Sequence, residues 1–195
     1  MMANSDTRTR IMDVAQDLIQ RRGTNGMSFQ DISVAVEIRK PSIYHHFASK
    51  QDLIEALLTR YRSEFGELLE NILASKAKAR GKLKRYGELF QSTLQSGNHD
   101  KSCLCGMLAA EVLSLGEGQA LSVRGFMQDN VTFLTKVLNE GKEDGSLVVR
   151  GSVDDMASMI LSTLEGGLLV ARADGGPDQL SAIIRNLVNL LAARP

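Results

Sequence analysis

The chain has 195 residues, 43% of them hydrophobic, enough for one large domain or for a small and a medium one with a real core. Its 23 Lys and Arg balance 23 Asp and Glu, which argues against a uniformly basic polyelectrolyte binder and confines any nucleic-acid contact to a local patch. Three prolines, no tryptophan and abundant Leu, Ala, Glu and Lys predict an all-α fold.

Two cysteines, Cys103 and Cys105, make no disulfide framework and fit a reducing compartment. The first ten residues, MMANSDTRTR, lack the apolar stretch of a signal peptide. No apolar run is read as reaching the ~20 residues that span a bilayer. A soluble, cytoplasmic protein with no membrane partner is expected.

Nearly every apolar segment repeats at helical period. Ile11, Val14, Ala15, Leu18 and Ile19 share one face of a first helix, which Gly23 stops. Ser28 and Asp31 have the spacing of a capping box and open a short helix that turns Ile32 and Ala35 inward. A third begins at Lys40-Pro41, since a first-turn proline lacks only an N–H that had no partner. Ser49 to Asp52 is a second capping signature, and it opens a long helix with Leu53, Leu57, Tyr61, Phe65, Leu68 and Ile72 inward.

The basic run AKARGKLKR precedes a helix carrying Leu83, Tyr86, Phe90 and Leu94. CLCGMLAAEVLSL is a shorter helix, and the next carries Val123, Met127, Val131, Leu134 and Leu138. Ser146 to Gly151 reads as an extended connector. Ser152 caps a helix with Val153, Met156, Ile160, Leu164 and Leu168, and a last helix carries Leu180, Ile183, Ile184, Leu187 and Leu191. About nine helices result, with a small N-terminal module over 1–48 and a larger helical domain over 49–195.

The strip RKPSIYHHFASKQDL, from Arg39 to Leu53, concentrates the chemistry. Two short helices joined by a three- or four-residue turn form a helix-turn-helix, whose second helix enters the major groove. Arg39 and Lys40 stand at the N-terminal end of that second helix, within reach of base edges. Ser42, Tyr44 and His45 lie on its polar face and can bond phosphates or bases, and Lys50 adds charge at the start of the next helix. Ile43 and Phe47 anchor it. A metal at His45-His46 is disfavoured, because adjacent helical residues diverge by about 100° and no third ligand is near.

SFQDISVAVEIRKPSIYHHFASKQDLIEAL resembles the DNA-binding signature of TetR-family transcriptional regulators. The likeness covers about Thr7 to Leu57, under a third of the chain. It implies an N-terminal DNA-binding domain, a variable ligand-binding domain and dimerisation through the last two helices. Three positions depart from the pattern: Glu37 stands where the turn often has glycine, Arg39 where serine is usual, and Pro41 where the first turn has glycine. Glu37 must then accept a backbone that glycine adopts more easily.

SCLCGMLAAE further resembles a helix start in a subgroup that includes the N-ethylmaleimide-reductase repressor, with Cys103 at the sensing position. Helix N-termini can activate thiols, so Cys103 and Cys105 are candidate redox sensors; two inert buried thiols are the alternative. AKARGKLKR reads as a solvated helix junction away from DNA. Candidates for lining an effector pocket are Phe90, Cys103, Met107, Phe126 and Met127. Gly166-Gly167 inside a helix costs about 1 kcal/mol per glycine relative to alanine. Close approach of a partner helix would offset that, so Gly166, Gly167, Leu187 and Leu191 are candidate dimer-interface residues; a simple kink is the alternative for the glycines.

The expected function is a homodimeric, ligand-responsive regulator, in the first instance a repressor, released from a palindromic double-stranded operator by a small molecule or by thiol modification. No nucleophile–base pair, metal set or phosphate loop is found, so neither an enzyme nor a cofactor is expected. A carrier or enzyme using the helical cavity is one alternative, and a regulator controlled by a protein partner is another.

Overall fold

In the computed structural model, residues 2–193 are described. Among them the chain forms nine α-helices: α1 (Met2–Arg22), α2 (Phe29–Val36), α3 (Lys40–His46), α4 (Lys50–Ala74), α5 (Ala79–Gln95), α6 (Leu104–Ala110), α7 (Glu117–Glu143), α8 (Val153–Val170) and α9 (Gly176–Leu191). No strand occurs among the described residues. One isolated bridge pairs Leu147 with Ala192, and there the connector after α7 donates from Val148 N to Leu191 O at 2.7 Å.

The helix ends follow local chemistry. Ser28 accepts from Asp31 N while Asp31 accepts from Ser28 N at 2.9 Å, the reciprocal capping box. The Ser28 hydroxyl, which donates to the Asp31 carboxylate, and then the Ser28 amide hold the Asp31 carboxyl below its usual range. Ser49 accepts from Asp52 N at 3.1 Å, and Ser152 from Asp155 N at 3.2 Å. Gly23, at φ +73°, ends α1. Between α8 and α9 the chain passes through a π-helical segment, Ala171–Gly175, and breaks at Gly176, at φ +61°.

The inward faces differ in part from those expected in three helices: Ala35 of α2 is exposed, and α4 buries Leu53, Leu57, Tyr61, Phe65 and Ile72 as expected but not Leu68. In α4, Leu69 is 6% exposed while Leu68 is 45% exposed. In α7 the buried series is Val123, Phe126, Asn130, Phe133, Leu134, Val137 and Leu138. Residues 153–174 are long and apolar enough by composition to cross a bilayer, contrary to expectation. Ala157, Ile160, Leu161, Leu164, Gly167 and Leu168 of that stretch are buried in the protein, as a core helix requires.

Contacts divide the chain into two compact units. One takes residues up to Ser63 together with Leu104–Gly125; the other takes Glu64–Cys103 and the chain from Phe126 onward. The division differs from the expected one after residue 48, because α6 and the start of α7 join the N-terminal helices. Glu111 accepts from Thr24 N at 2.9 Å and from Thr24 Oγ1 at 2.6 Å. Gln119, buried at the start of α7, donates to Gln51 O at 2.8 Å.

Candidate nucleic-acid interface

The first unit shapes a polar ridge around α3. α2 ends with Glu37 in the left-handed region (φ 59°, ψ 40°), and Ile38 N donates back to Ser33 O at 3.1 Å. This turn redirects the chain into α3, whose N-cap is Arg39 and whose first turn contains Pro41. Ile43 and Phe47 are buried, as the anchoring role requires. Two arginines of α1 fix the ends of the motif. Arg10 donates to Val36 O at 2.9 Å, closing α2. Arg8 donates to His46 O at 3.1 Å and lies 4.2 Å from the centre of the Phe47 ring.

The anchoring leaves Arg39, Lys40, Ser42, Tyr44 and His45 exposed together. Tyr44 is held from one side, its ring edge-on to Phe29 with centroids 5.0 Å apart. Its hydroxyl end therefore projects from a fixed base. His46 turns partly inward, and burial, with smaller effects from His45 and Arg8, lowers its pKa, which favours the neutral ring. No group of three metal-ligating residues occurs among the described residues.

Lys50 does more than the sequence suggests. Its ammonium donates to Thr24 O at 2.6 Å and Met27 O at 2.8 Å, tying the α1–α2 turn to the start of α4. An ammonium has three donors, so one remains for a phosphate. A cleft of about 400 Å³ beside α3 is lined by Ser28, Lys40, Tyr44, Ser49 and Lys50 among others. Two ammonium groups and three hydroxyls around a shallow cleft suit a backbone phosphate, which positions a protein on DNA without reading sequence.

The second unit holds most of the other candidates. Phe90, Cys103 and Phe126 are buried, and Met127 is partly so. Phe90 and Phe133 stack about Tyr86 with centroids 5.4 and 5.1 Å from it. Tyr86 Oη donates to Asn130 Oδ1 at 2.9 Å, and Asn130 Nδ2 donates to Phe126 O at 2.8 Å. Met107 lies on α6 in the first unit, partly exposed. Cys105 is also there and is buried, as is Cys103, and neither forms a disulfide.

Sequence reasoning missed the most unusual group of this interior, Glu165. Both its carboxylate oxygens are buried, and neither meets hydrogen-bond geometry with a partner. Burial pushes its pKa up to about 7, while the Cys103 thiol facing it pulls the other way. Burial first, then the Glu165 and Cys103 charges, pushes the Tyr86 hydroxyl well above its ordinary value, keeping it a neutral donor. A single acid between Leu164 and the glycine pair in an otherwise apolar stretch was the available signal.

The glycine pair divides its roles. A Cβ on Gly167 would stand 3.1 Å from Ile183 Cδ1, so this glycine lets α9 pack against α8 within the chain. Gly166 faces open space. Leu187 and Leu191 are 6% and 4% exposed. Along with Gly167 they are committed to internal packing, which corrects their expected place on an outer face. The outward apolar side chains of α8 and α9 are Met159, Leu169, Val170 and Leu190, from 43% to 81% exposed.

Residues 11–57 match the family model for bacterial regulatory proteins of the tetR family. The HTH-type transcriptional repressor NemR of Escherichia coli K12 is 26% identical over 191 residues, covering 96% of this chain and 94% of that protein. A TetR-family transcriptional regulator from Agrobacterium tumefaciens superposes with a TM-score of 0.92 at 32% identity, covering 97% of this chain and all of the other. A TetR transcriptional regulator from Legionella pneumophila gives 0.83 at 30% identity over 93% and 95% of the two chains. The chain, with its anchored α2–α3 motif and all-α fold, belongs to the TetR family of transcriptional regulators.

Proposed function

We propose that the chain is a homodimeric repressor that binds an inverted-repeat operator through α3 and leaves it when an effector enters the second unit. The observation that carries this reading is the exposed set Arg39, Lys40, Ser42, Tyr44 and His45 on a helix clamped by Arg8 and Arg10. A single seven-residue helix covers few base pairs. Two of them related by a twofold axis read half-sites about one helical turn or a multiple apart. Met159, Leu169, Val170 and Leu190 form the apolar face that supports pairing of α8 and α9 between copies. Regulation, with no catalysis, takes place in the cytoplasm under this proposal.

The effector reading rests on the buried Glu165 carboxylate beside Tyr86 and Cys103. A ligand that presents a donor to Glu165 and favours one arrangement of the helices would shift the population away from the DNA-bound state. A second trigger is supported by the same residues. The Cys103 sulfur adds to the activated double bond of an electrophile: the C–S bond forms as the π bond breaks, Glu165 takes the thiol proton, and the adduct carbon gains one. Against it stands the depth of the thiol, which is 3% exposed.

The direct test is selection and sequencing of DNA bound by the purified protein from a random duplex pool at near-physiological salt. An enriched inverted repeat is expected. A folded protein that enriches nothing would overturn the operator reading and move attention to a carrier or enzyme.

A further inference from the structure

The basic run AKARGKLKR is solvated as its composition suggests, except at Lys82. α5 starts at Ala79, so most of the run is helical and its charges separate by face. Lys82 turns inward, 6% exposed, and donates to Leu73 O at 2.7 Å and to Glu140 at 2.6 Å. Lys78, Gly81, Lys84, Glu88 and Gln91 follow a spacing of three or four and form one stripe. This stripe faces α9 across a groove with a volume of about 1040 Å³.

The groove gathers charge of one sign. Among the described residues, Lys78, Arg80 and Lys84 line it from the α5 side and Arg185 from α9, against one lining carboxylate, Glu88. Glu88 lies 3.5 Å from Lys84, a loose and exposed pair. Asp144, next to the lining residue Gly145, also lies close to Lys78. Its carboxylate is already engaged by Ala79 N at 3.0 Å and Ser146 N at 2.8 Å. Arg80 donates to Asn189 Oδ1 at 3.1 Å, a neutral acceptor, and among the described residues it forms no ion pair. A chain with no net charge thus carries a local cationic excess along one groove.

The groove is apolar beneath the charges. Ile184 and Val188 of α9 line it, and lysine and arginine stems contribute methylenes to the walls. Gly87 makes this floor tight: a Cβ there would stand 2.7 Å from Ile184 Cγ2. At one end Gln91 donates to Ser181 Oγ at 2.8 Å, leaving polar groups there. The groove is separate from the outward apolar face of α9. Leu190 and Arg185 are five residues apart, which places them about 140° apart around the helix, so pairing through Leu190 leaves the groove open.

We infer that the α5–α9 groove binds an amphiphilic organic anion, an acidic head group on an apolar body. The head lies among Lys78, Lys84 and Arg185, and the body runs along Ile184 and Val188. The volume, about 1040 Å³, sits at the upper limit of small-molecule sites. A strongly hydrated inorganic anion would leave the apolar floor unused, and a neutral hydrocarbon would leave the cations unpaired.

The test is calorimetric titration of the full chain with decanoate below its micelle concentration, with inorganic phosphate and the decyltrimethylammonium cation as comparison probes. Saturable binding of one decanoate per chain is expected, with little heat from either comparison. The double variant Lys84→Glu, Arg185→Glu should weaken decanoate about tenfold or more, and Lys84→Gln, Arg185→Gln by less, with melting temperature and operator binding unchanged. Both side chains are exposed, so folding should tolerate either change. Absence of decanoate binding, binding unchanged in both variants, or equal binding of phosphate or of the cation would each overturn the inference. Operator binding is read separately, so failure here leaves the repressor reading standing.

Discussion

Glu111 holds Thr24 twice, its carboxylate accepting from the amide at 2.9 Å and from the hydroxyl at 2.6 Å across 87 positions of sequence. The neighbouring residue has to be small: a Cβ on Gly23 would collide with Glu111 Oε1. Thr24 O in turn accepts from Lys50 at 2.6 Å. One turn after α1 therefore links α6 to the start of α4. Glu111→Ala should cost about 2 kcal/mol in all, since a hydrogen bond to a charged group is worth roughly 1.5–3 kcal/mol and these two share one part-buried carboxylate oxygen, so they do not add. Thermal unfolding measures this, with a fall of about 4–8 °C expected for a chain of this size. An unchanged melting temperature would show the contact to be energetically idle.

Glu37 occupies the left-handed region at φ 59°, where an L side chain costs about 1–2 kcal/mol. Glycine removes that strain but loses more entropy on folding, about 0.5–1 kcal/mol. Glu37→Gly should therefore stabilise by up to about 1 kcal/mol, raising the melting temperature by about 2–4 °C. A fall would mean that the Glu37 side chain makes contacts outweighing its backbone strain.

Arg39 and Lys50 should respond differently to alanine. Arg39 is exposed at the N-cap of α3 and makes no side-chain cap bond. Its loss should leave stability within about 0.5 kcal/mol and change the preferred operator sequence. Lys50→Ala removes two bonds to backbone carbonyls. It should lower the melting temperature and weaken all duplexes alike, with a shallower salt dependence. A changed sequence preference with Lys50→Ala alone would mean the two roles are reversed.

Glu165 predicts a pH dependence. Its folded pKa, about 7, lies above the ordinary glutamate value of 4.5, so the folded chain holds the proton longer than the unfolded one. This contribution is fully present below pH about 4.5 and is lost as pH rises through about 7. Glu165→Gln removes the ionising group, so its stability relative to the parent should rise across that window, by on the order of 3 kcal/mol. Denaturant unfolding at pH 5 and pH 8 measures it. A difference that does not change with pH would mean the carboxylate is solvated.

Adjacent leucines should give opposite phenotypes. Leu190 is 81% exposed and Leu191 is 4% exposed. Leu190→Asp should leave the protomer folded and shift it from dimer to monomer in sedimentation. Leu191→Asp should unfold it by burying a charge. A dimer that survives Leu190→Asp would place the pairing face elsewhere.

The N-terminal motif was legible because its determinants are local. Ser28 and Asp31, Pro41, and Ser49 and Asp52 each act within one helical turn, and the structure uses all of them as capping logic requires. The strain at Glu37 could also be read, since a missing glycine in a tight turn has one backbone consequence. The second unit was harder. Whether Leu68 or Leu69 turns inward depends on a rotation of about 100° per residue, which only the neighbouring helices set. The same holds for Leu187 and Leu191, apolar enough for either an inner or an outer face.

Sequence by itself determined the all-α class, the helix-turn-helix and the chemistry that α3 presents, because capping, proline and helical periodicity act between near neighbours. Tertiary structure alone decided the rest. Lys82 is sunk against Glu140 while Lys84 stays out. Lys50 is tied to carbonyls 23 and 26 residues away. Glu165 is shut from water beside Cys103 and Tyr86. A charged side chain carries no local mark of which surface it will meet; burial and pairing come from segments distant in sequence, and only packing brings those together.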